Sequence, residues 1–296
     1  MWAILALAAA FLTSFNPILY KRLLGPSTGS GQAAGPVVVV WGVIGLALPL
    51  LALTTFALAP TLPHLEGVFW MAALGSATLN AVAHLASTRS LKLEDASLVT
   101  PLLTFSPVFT LLISALFLGE VPSGRSLIGV ALVLVGAYWL SRGSGSDWLL
   151  PFKSVTLKPG VALVLLAGLL WAITPIFEKV AIQHTFPESP PFAALVVNGL
   201  LVASLTPVVL WRSRAALNSL FHQRREWMLA ALIAGTAPVL GYTAFSLGLV
   251  GYVTTLFRLS AVFTVIWGAW LLGESGFRQR LPASILMVVG AILIVA

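Results

Sequence analysis

Apolar positions along this 296-residue chain fall in runs of about twenty, separated by short connectors rich in glycine, proline, serine or basic residues. Ten such runs are legible, at roughly 2–20, 37–58, 66–87, 97–118, 126–141, 159–182, 192–211, 227–247, 251–272 and 281–296. A helix of about 20 residues crosses the hydrocarbon core of a bilayer, so each run predicts one transmembrane helix. The first run has a Leu/Ala core but no basic segment ahead of it, and its end matches the end of the sixth. It is therefore read as a retained helix rather than a leader.

The pattern occurs twice. Leu98–Glu120 aligns with Tyr252–Glu274 at constant offset, pairing Val99 with Val253, Thr100 with Thr254, Ser106 with Ser260, Phe109 with Phe263 and Gly119-Glu120 with Gly273-Glu274. The register continues into Val135-Gly136-Ala137 against Val289-Gly290-Ala291, and Pro17-Ile18 and Lys21 match Pro175-Ile176 and Lys179. Five helices per copy is an odd number, so the second copy enters the membrane from the opposite face. The predicted fold is an all-α integral membrane protein with ten helices, arranged as two inverted five-helix repeats around a central cavity. The predicted units are residues 1–143 and 159–296, joined by a polar linker at 144–158.

Composition agrees: 59% of residues are hydrophobic and 8% charged, whereas soluble domains carry about 25% charged residues. The net charge of +7 would suggest nucleic acid on a soluble protein. Here the basic residues lie in short loops, where they set orientation. Loops after the odd-numbered helices hold Lys21, Arg22, Arg89, Lys92, Arg142, Lys153, Lys158, Arg212, Arg214, Arg224, Arg225, Arg278 and Arg280; the other side holds Arg125 and Lys179. The positive-inside rule places the odd loops in the cytoplasm of a cell with this protein in its inner membrane, and both termini outside. With no cysteine, disulfides and thiolate metal sites are excluded, and neither a metal nor a cofactor is expected.

Asn16-Pro17 with Lys21, Thr174-Pro175 with Glu178-Lys179, the Leu-Gly-Glu tripeptides at 118–120 and 272–274, and the glycines of the fifth and tenth runs together resemble the drug/metabolite transporter superfamily, specifically its EamA-type members. The resemblance spans the chain. It implies ten helices in two inverted repeats, a cavity lined mainly by helices one, three, four, six, eight and nine, and export of amino acids or other small metabolites. Relatives that move sugar phosphates or nucleotide sugars supply an alternative substrate class. The resemblance also implies cytoplasmic termini, against the charge count.

Arg258 is the sharpest candidate, a guanidinium well inside the ninth run. A charge near mid-bilayer costs at least about 2.5–3.5 kcal/mol facing lipid, so Arg258 is expected to face a wet cavity and to engage an anionic group of a small-molecule substrate. The competing readings are snorkelling and a structural pairing, for instance with Glu178. Asn80 and His84 share a helix face and, with Asn16, Thr100, Trp171, Thr174 and Tyr242, are expected to complete a polar and aromatic pocket. Pro17 and Pro175 are candidate hinges, because proline frees a backbone carbonyl inside a helix.

The acids fall at helix ends or in loops, with Glu178 only a turn before the end of the sixth run. That position argues against a deep carboxylate and hence against proton-for-cation antiport. Glu120 and Glu274 sit at helix C-termini, where the macrodipole opposes negative charge, so they are read as stop signals or as hydrogen-bond partners of a neighbouring helix end. Trp2, Trp41, Trp70, Trp139, Trp148, Trp211 and Trp227 are read as interfacial anchors. An intramembrane enzyme would require a nucleophile–base pair, a metal cluster or paired acids at depth, none of which the runs offer. Glycine-lined faces leave monomer and homodimer both open.

Overall fold

The computed structural model describes residues 1–24, 35–58, 61–93, 106–142, 159–212, 224–272 and 277–295. In chain order the elements are α1 (Trp2–Thr13), α2 (Asn16–Leu24), α3 (Pro36–Leu58), β1 (His64–Leu65), α4 (Gly67–Leu93), α5 (Ser106–Leu118), α6 (Gly124–Arg142), α7 (Pro159–Gln183), β2 (Thr185–Phe186), α8 (Pro190–Arg212), α9 (Arg224–Leu247), α10 (Val250–Phe257), α11 (Ser260–Leu272) and α12 (Phe277–Val295). Among the described residues six segments are long and apolar enough to span a membrane on their own, and four shorter apolar helices fall in the remaining predicted runs. In lipid every backbone polar group must be satisfied within the segment, which is why uninterrupted apolar runs become helices.

Two runs are interrupted. The first is split into α1 and α2 by a turn at Ser14-Phe15, and the ninth into α10 and α11 by a turn at Arg258-Leu259. At both places the backbone tightens to i→i+3 bonds, Phe15 N–H to Leu12 O (3.4 Å), Arg258 N–H to Thr255 O (3.0 Å) and Leu259 N–H to Leu256 O (3.0 Å). Ser14 adds a side-chain competitor, its hydroxyl donating to Phe11 O at 2.5 Å. The sixth run, which matches the first, stays one helix through Pro175.

Inverted symmetry is visible in how helices pair. The most extensive contact sets α4 along α7, and its repeat mate, α9 along α1, is also among the large ones. Where α6 crosses α12, a Cβ on Gly136 would lie 2.8 Å from Ala283 O and 3.1 Å from Met287 N; one on Gly290 would lie 2.6 Å from Gly129 O and 2.8 Å from Val133 N. In the repeat register Gly136 corresponds to Gly290, Ala283 to Gly129 and Met287 to Val133. The contact is therefore the same seen from either side, as a two-fold relation requires. These glycines are consumed inside the bundle, where backbones approach closely because no side chain intervenes.

The tryptophans divide. Trp211 and Trp70 are exposed, as anchors would be, but Trp227 is fully buried and Trp41 is tied to α8 by an Nε1–H bond to Thr206 Oγ1 at 2.9 Å. Trp2 packs across Gly248 and lies 6.3 Å from the Tyr252 ring. Burial of the first run's aromatic end against α9 and α10 overrides its position near a boundary. Anchoring does not describe these three residues.

Candidate functional site

The α4–α7 contact carries a polar stripe through an otherwise apolar core. Ser76, Asn80 and His84 recur every four residues on α4, spanning about 12 Å at 1.5 Å per residue. Opposite them, Trp171, Thr174 and Glu178 share one face of α7. Glu178 Oε1 accepts from Ser76 Oγ (3.2 Å) and from Asn80 Nδ2 (3.1 Å), while Asn80 Nδ2 also reaches Ser76 Oγ at 3.2 Å. The hydroxyl of Tyr242, arriving from α9, hydrogen-bonds the same carboxylate. Two turns away, the His84 ring meets Trp171 edge to face at 5.3 Å. Thr174 is buried between them. Pro175 follows in the same helix, and with no N–H to give it leaves the Trp171 carbonyl without its intrahelical donor.

Arg258 stands at the α10–α11 break, where its Nη2 donates to Ser106 Oγ at the start of α5. Its Nε is buried and has no hydrogen-bond partner among the described residues. A ring path links this point to the stripe: Phe257 packs on Phe245 (5.7 Å between centroids), Phe245 on Tyr242 (6.4 Å), and Tyr242 bonds Glu178. The pairing of Arg258 with Glu178 that the sequence allowed is not among the described contacts. Each group goes to neutral partners.

Asn16 begins α2, immediately after the Ser14-Phe15 break. That break is held against α11, with Thr264 Oγ1 donating to Ser14 O at 2.9 Å and Trp267 Nε1 to Ser14 Oγ at 3.0 Å. Phe15 stacks on Trp267 at 5.2 Å. Pro17 occupies the first turn of α2. Thr100 lies outside the described residues, as does Glu274.

At one end of the bundle a second polar cluster ties the repeats together. Lys179 Nζ contacts Glu120 Oε1 at 2.5 Å and Gly248 O at 2.9 Å. Glu120 Oε2 accepts the backbone N–H of Val250, the first residue of α10, at 2.7 Å. A carboxylate on that N-terminus meets the positive end of the helix dipole and satisfies one of its free donors. The awkward placement of Glu120 after α5 is thus explained by the helix it caps rather than the one it ends. Lys179, counted from sequence as a loop charge, is a buried partner. Beside it, Ser123 N–H donates to Tyr252 Oη at 2.9 Å, and β1 pairs antiparallel with β2.

Sequence reasoning missed Glu178 and Ser76. Glu178 lies little more than a turn before the end of α7 at Gln183, as the sixth run implied, yet it is 8% exposed, so a carboxylate is buried against α4 there. The signal that could have found it is the four-residue recurrence Ser76-Asn80-His84, which marks the face any partner on a neighbouring helix must meet.

The family model for EamA-like transporters matches residues 1–142 and again 158–296. The chain belongs to the EamA-like transporter family. A solved crystal structure shares the fold of this EamA-like transporter, with a TM-score of 0.71 at 16% identity over 99% of this chain and 95% of its own. No curated protein matches the sequence. As a multi-pass membrane transporter it requires a small-molecule substrate and a lipid environment, and the stripe and Arg258 are polar groups that such a substrate could meet between its repeats.

Proposed function

We propose that this EamA-like transporter works by alternating access and exports an amino acid or a similar small metabolite carrying an anionic group. The observation that carries the reading is Arg258. A guanidinium at a helix break, with one buried N–H unused, is poised to receive a carboxylate, and broken helices at a repeat interface are where secondary transporters bind substrate. Asn16, Asn80, His84, Trp171, Thr174 and Tyr242 complete the pocket. One deep cation suits a single carboxylate better than a phosphorylated sugar, which favours several.

The two units, 1–143 and 159–296, rock about the break beside Pro17 and about the carbonyl freed by Pro175. Odd-numbered loops face the cytoplasm of the inner membrane, as their basic residues dictate. The end held by Glu120, Lys179 and the paired strands is then the outer end.

Flux in proteoliposomes loaded with radiolabelled phenylalanine tests the site. Arg258→Ala is expected to lower kcat/KM at least about a hundredfold, the loss expected when a charge-assisted bond of about 3 kcal/mol is removed. Arg258→Lys is expected to recover only part, since an ammonium cannot bind in bidentate fashion. Wild-type flux in both variants would remove Arg258 from the mechanism.

A further inference from the structure

We propose that Glu178 is the site where this transporter exchanges a proton for the ammonium group of its substrate. The inference rests on the amino-acid reading above and adds the coupling ion to it. Glu178 is 8% exposed, and its described partners, Ser76 Oγ, Asn80 Nδ2 and the Tyr242 hydroxyl, are all neutral. Three neutral donors orient a carboxylate but do not cancel its charge. A carboxylate left charged in an apolar interior is costly, so it holds either a proton or a cationic group.

The surrounding elements offer no resident cation to do this among the described residues. On α7 itself Lys179 is committed to Glu120 and Gly248 O. From α4 the titratable group inside the bundle is His84, which lies against Trp171 rather than the carboxylate; Arg89 is exposed farther along. From α9 it is Tyr242, while Arg224, Arg225 and Glu226 sit at that helix's far end. α5 carries no charge along its length, and the following Glu120 is paired. α8 has none before Arg212 at its end. On α10, Tyr252 accepts from Ser123 N–H and the adjoining Arg258 donates to Ser106. Beside β2, His184 faces Glu66 at 3.7 Å.

Among the described residues Glu178 is therefore the buried carboxylate with no cation beside it. A chain of rings, Tyr242–Phe245–Phe257, runs from its surroundings toward Arg258. Binding of one ammonium displaces one proton from the Glu178 carboxyl to water on the side the site faces. Departure of the ammonium on the other side is followed by uptake of one proton there. One zwitterion out is thus exchanged for one proton in.

The intact transporter in lipid nanodiscs tests this with phenethylamine (an ammonium without a carboxylate), 3-phenylpropionate (the converse) and phenylalanine. Difference infrared spectra are expected to show a protonated-carboxyl band in the wild type that Glu178→Gln removes, and that phenethylamine and phenylalanine bleach but 3-phenylpropionate does not. Apparent phenethylamine affinity is expected to rise about tenfold per unit increase in pH while the acid is protonated, and Glu178→Gln to abolish that slope. Glu178→Asp, which keeps the charge, is expected to retain it. Phenethylamine or phenylalanine that binds and leaves the band unchanged overturns the assignment while the amino-acid reading stands. A band assigned to Glu178 that is absent at every pH overturns it with or without a ligand. Failure of all three probes to bind, with the band still titrating, overturns the reading of an aromatic amino acid as substrate and with it the exchange for an ammonium.

Discussion

Glu120 and Glu178 are equally buried, at 8% exposure each, yet they are compensated in opposite ways. Glu120 has an ammonium at 2.5 Å and a helix N-terminal amide at 2.7 Å. Among the described residues Glu178 has only neutral donors. A buried charge with fixed counter-charges is structural, because removing either partner leaves the other stranded. A buried acid with neutral partners has a stable neutral form, and so it can gain and lose its charge as part of a cycle. The adjacent residues 178 and 179 thus face different tasks from successive positions of one helix.

That contrast can be broken most sharply at the paired site. Lys179→Ala or Glu120→Ala is expected to destabilise the protein by about 3–5 kcal/mol, read as denaturant unfolding in mixed micelles. The double change to Met at both positions is expected to recover most of the loss, since no charge is then left unpaired. Next comes the two-fold contact. Gly136→Ala or Gly290→Ala, pushing a methyl into backbone at under 3 Å, is expected to cost about 1–3 kcal/mol in the same measurement, whereas Gly67→Ala meets open space. Asn80→Ala, which strips one donor from Glu178, is expected to cost about 1 kcal/mol of stability and to shift the pH dependence of transport. Smallest is Glu178→Gln, expected to leave stability within about 1 kcal/mol of wild type or to raise it, while uncoupling transport from protons. Destabilisation by Glu178→Gln as large as that by Glu120→Gln would erase the distinction between the two acids.

The spans, their duplication and the inverted arrangement were legible because lipid enforces one rule on every segment, that apolar runs be helical and about twenty residues long. Partnerships between distant residues were not legible. Glu120 capping α10 joins residues about 130 positions apart, and nothing local to Leu118-Gly119-Glu120 specifies that helix. The helix breaks were hidden too, since Ser14 and Arg258 interrupt runs whose hydropathy is continuous. Asn80 and Tyr242 were selected from sequence by polarity within a span, and the structure brings them together. The acid at which they meet was discounted because distance from a helix end is a poor proxy for burial where a neighbouring helix, here α4, packs along that end.

Simultaneous recording of substrate efflux and proton uptake in phenylalanine-loaded proteoliposomes tests the division of roles most directly, comparing the wild type with Glu178→Gln. The wild type is expected to take up one proton for each phenylalanine released, and Glu178→Gln to release substrate more slowly with no accompanying proton. Proton uptake that follows substrate as closely in Glu178→Gln as in the wild type would contradict the account.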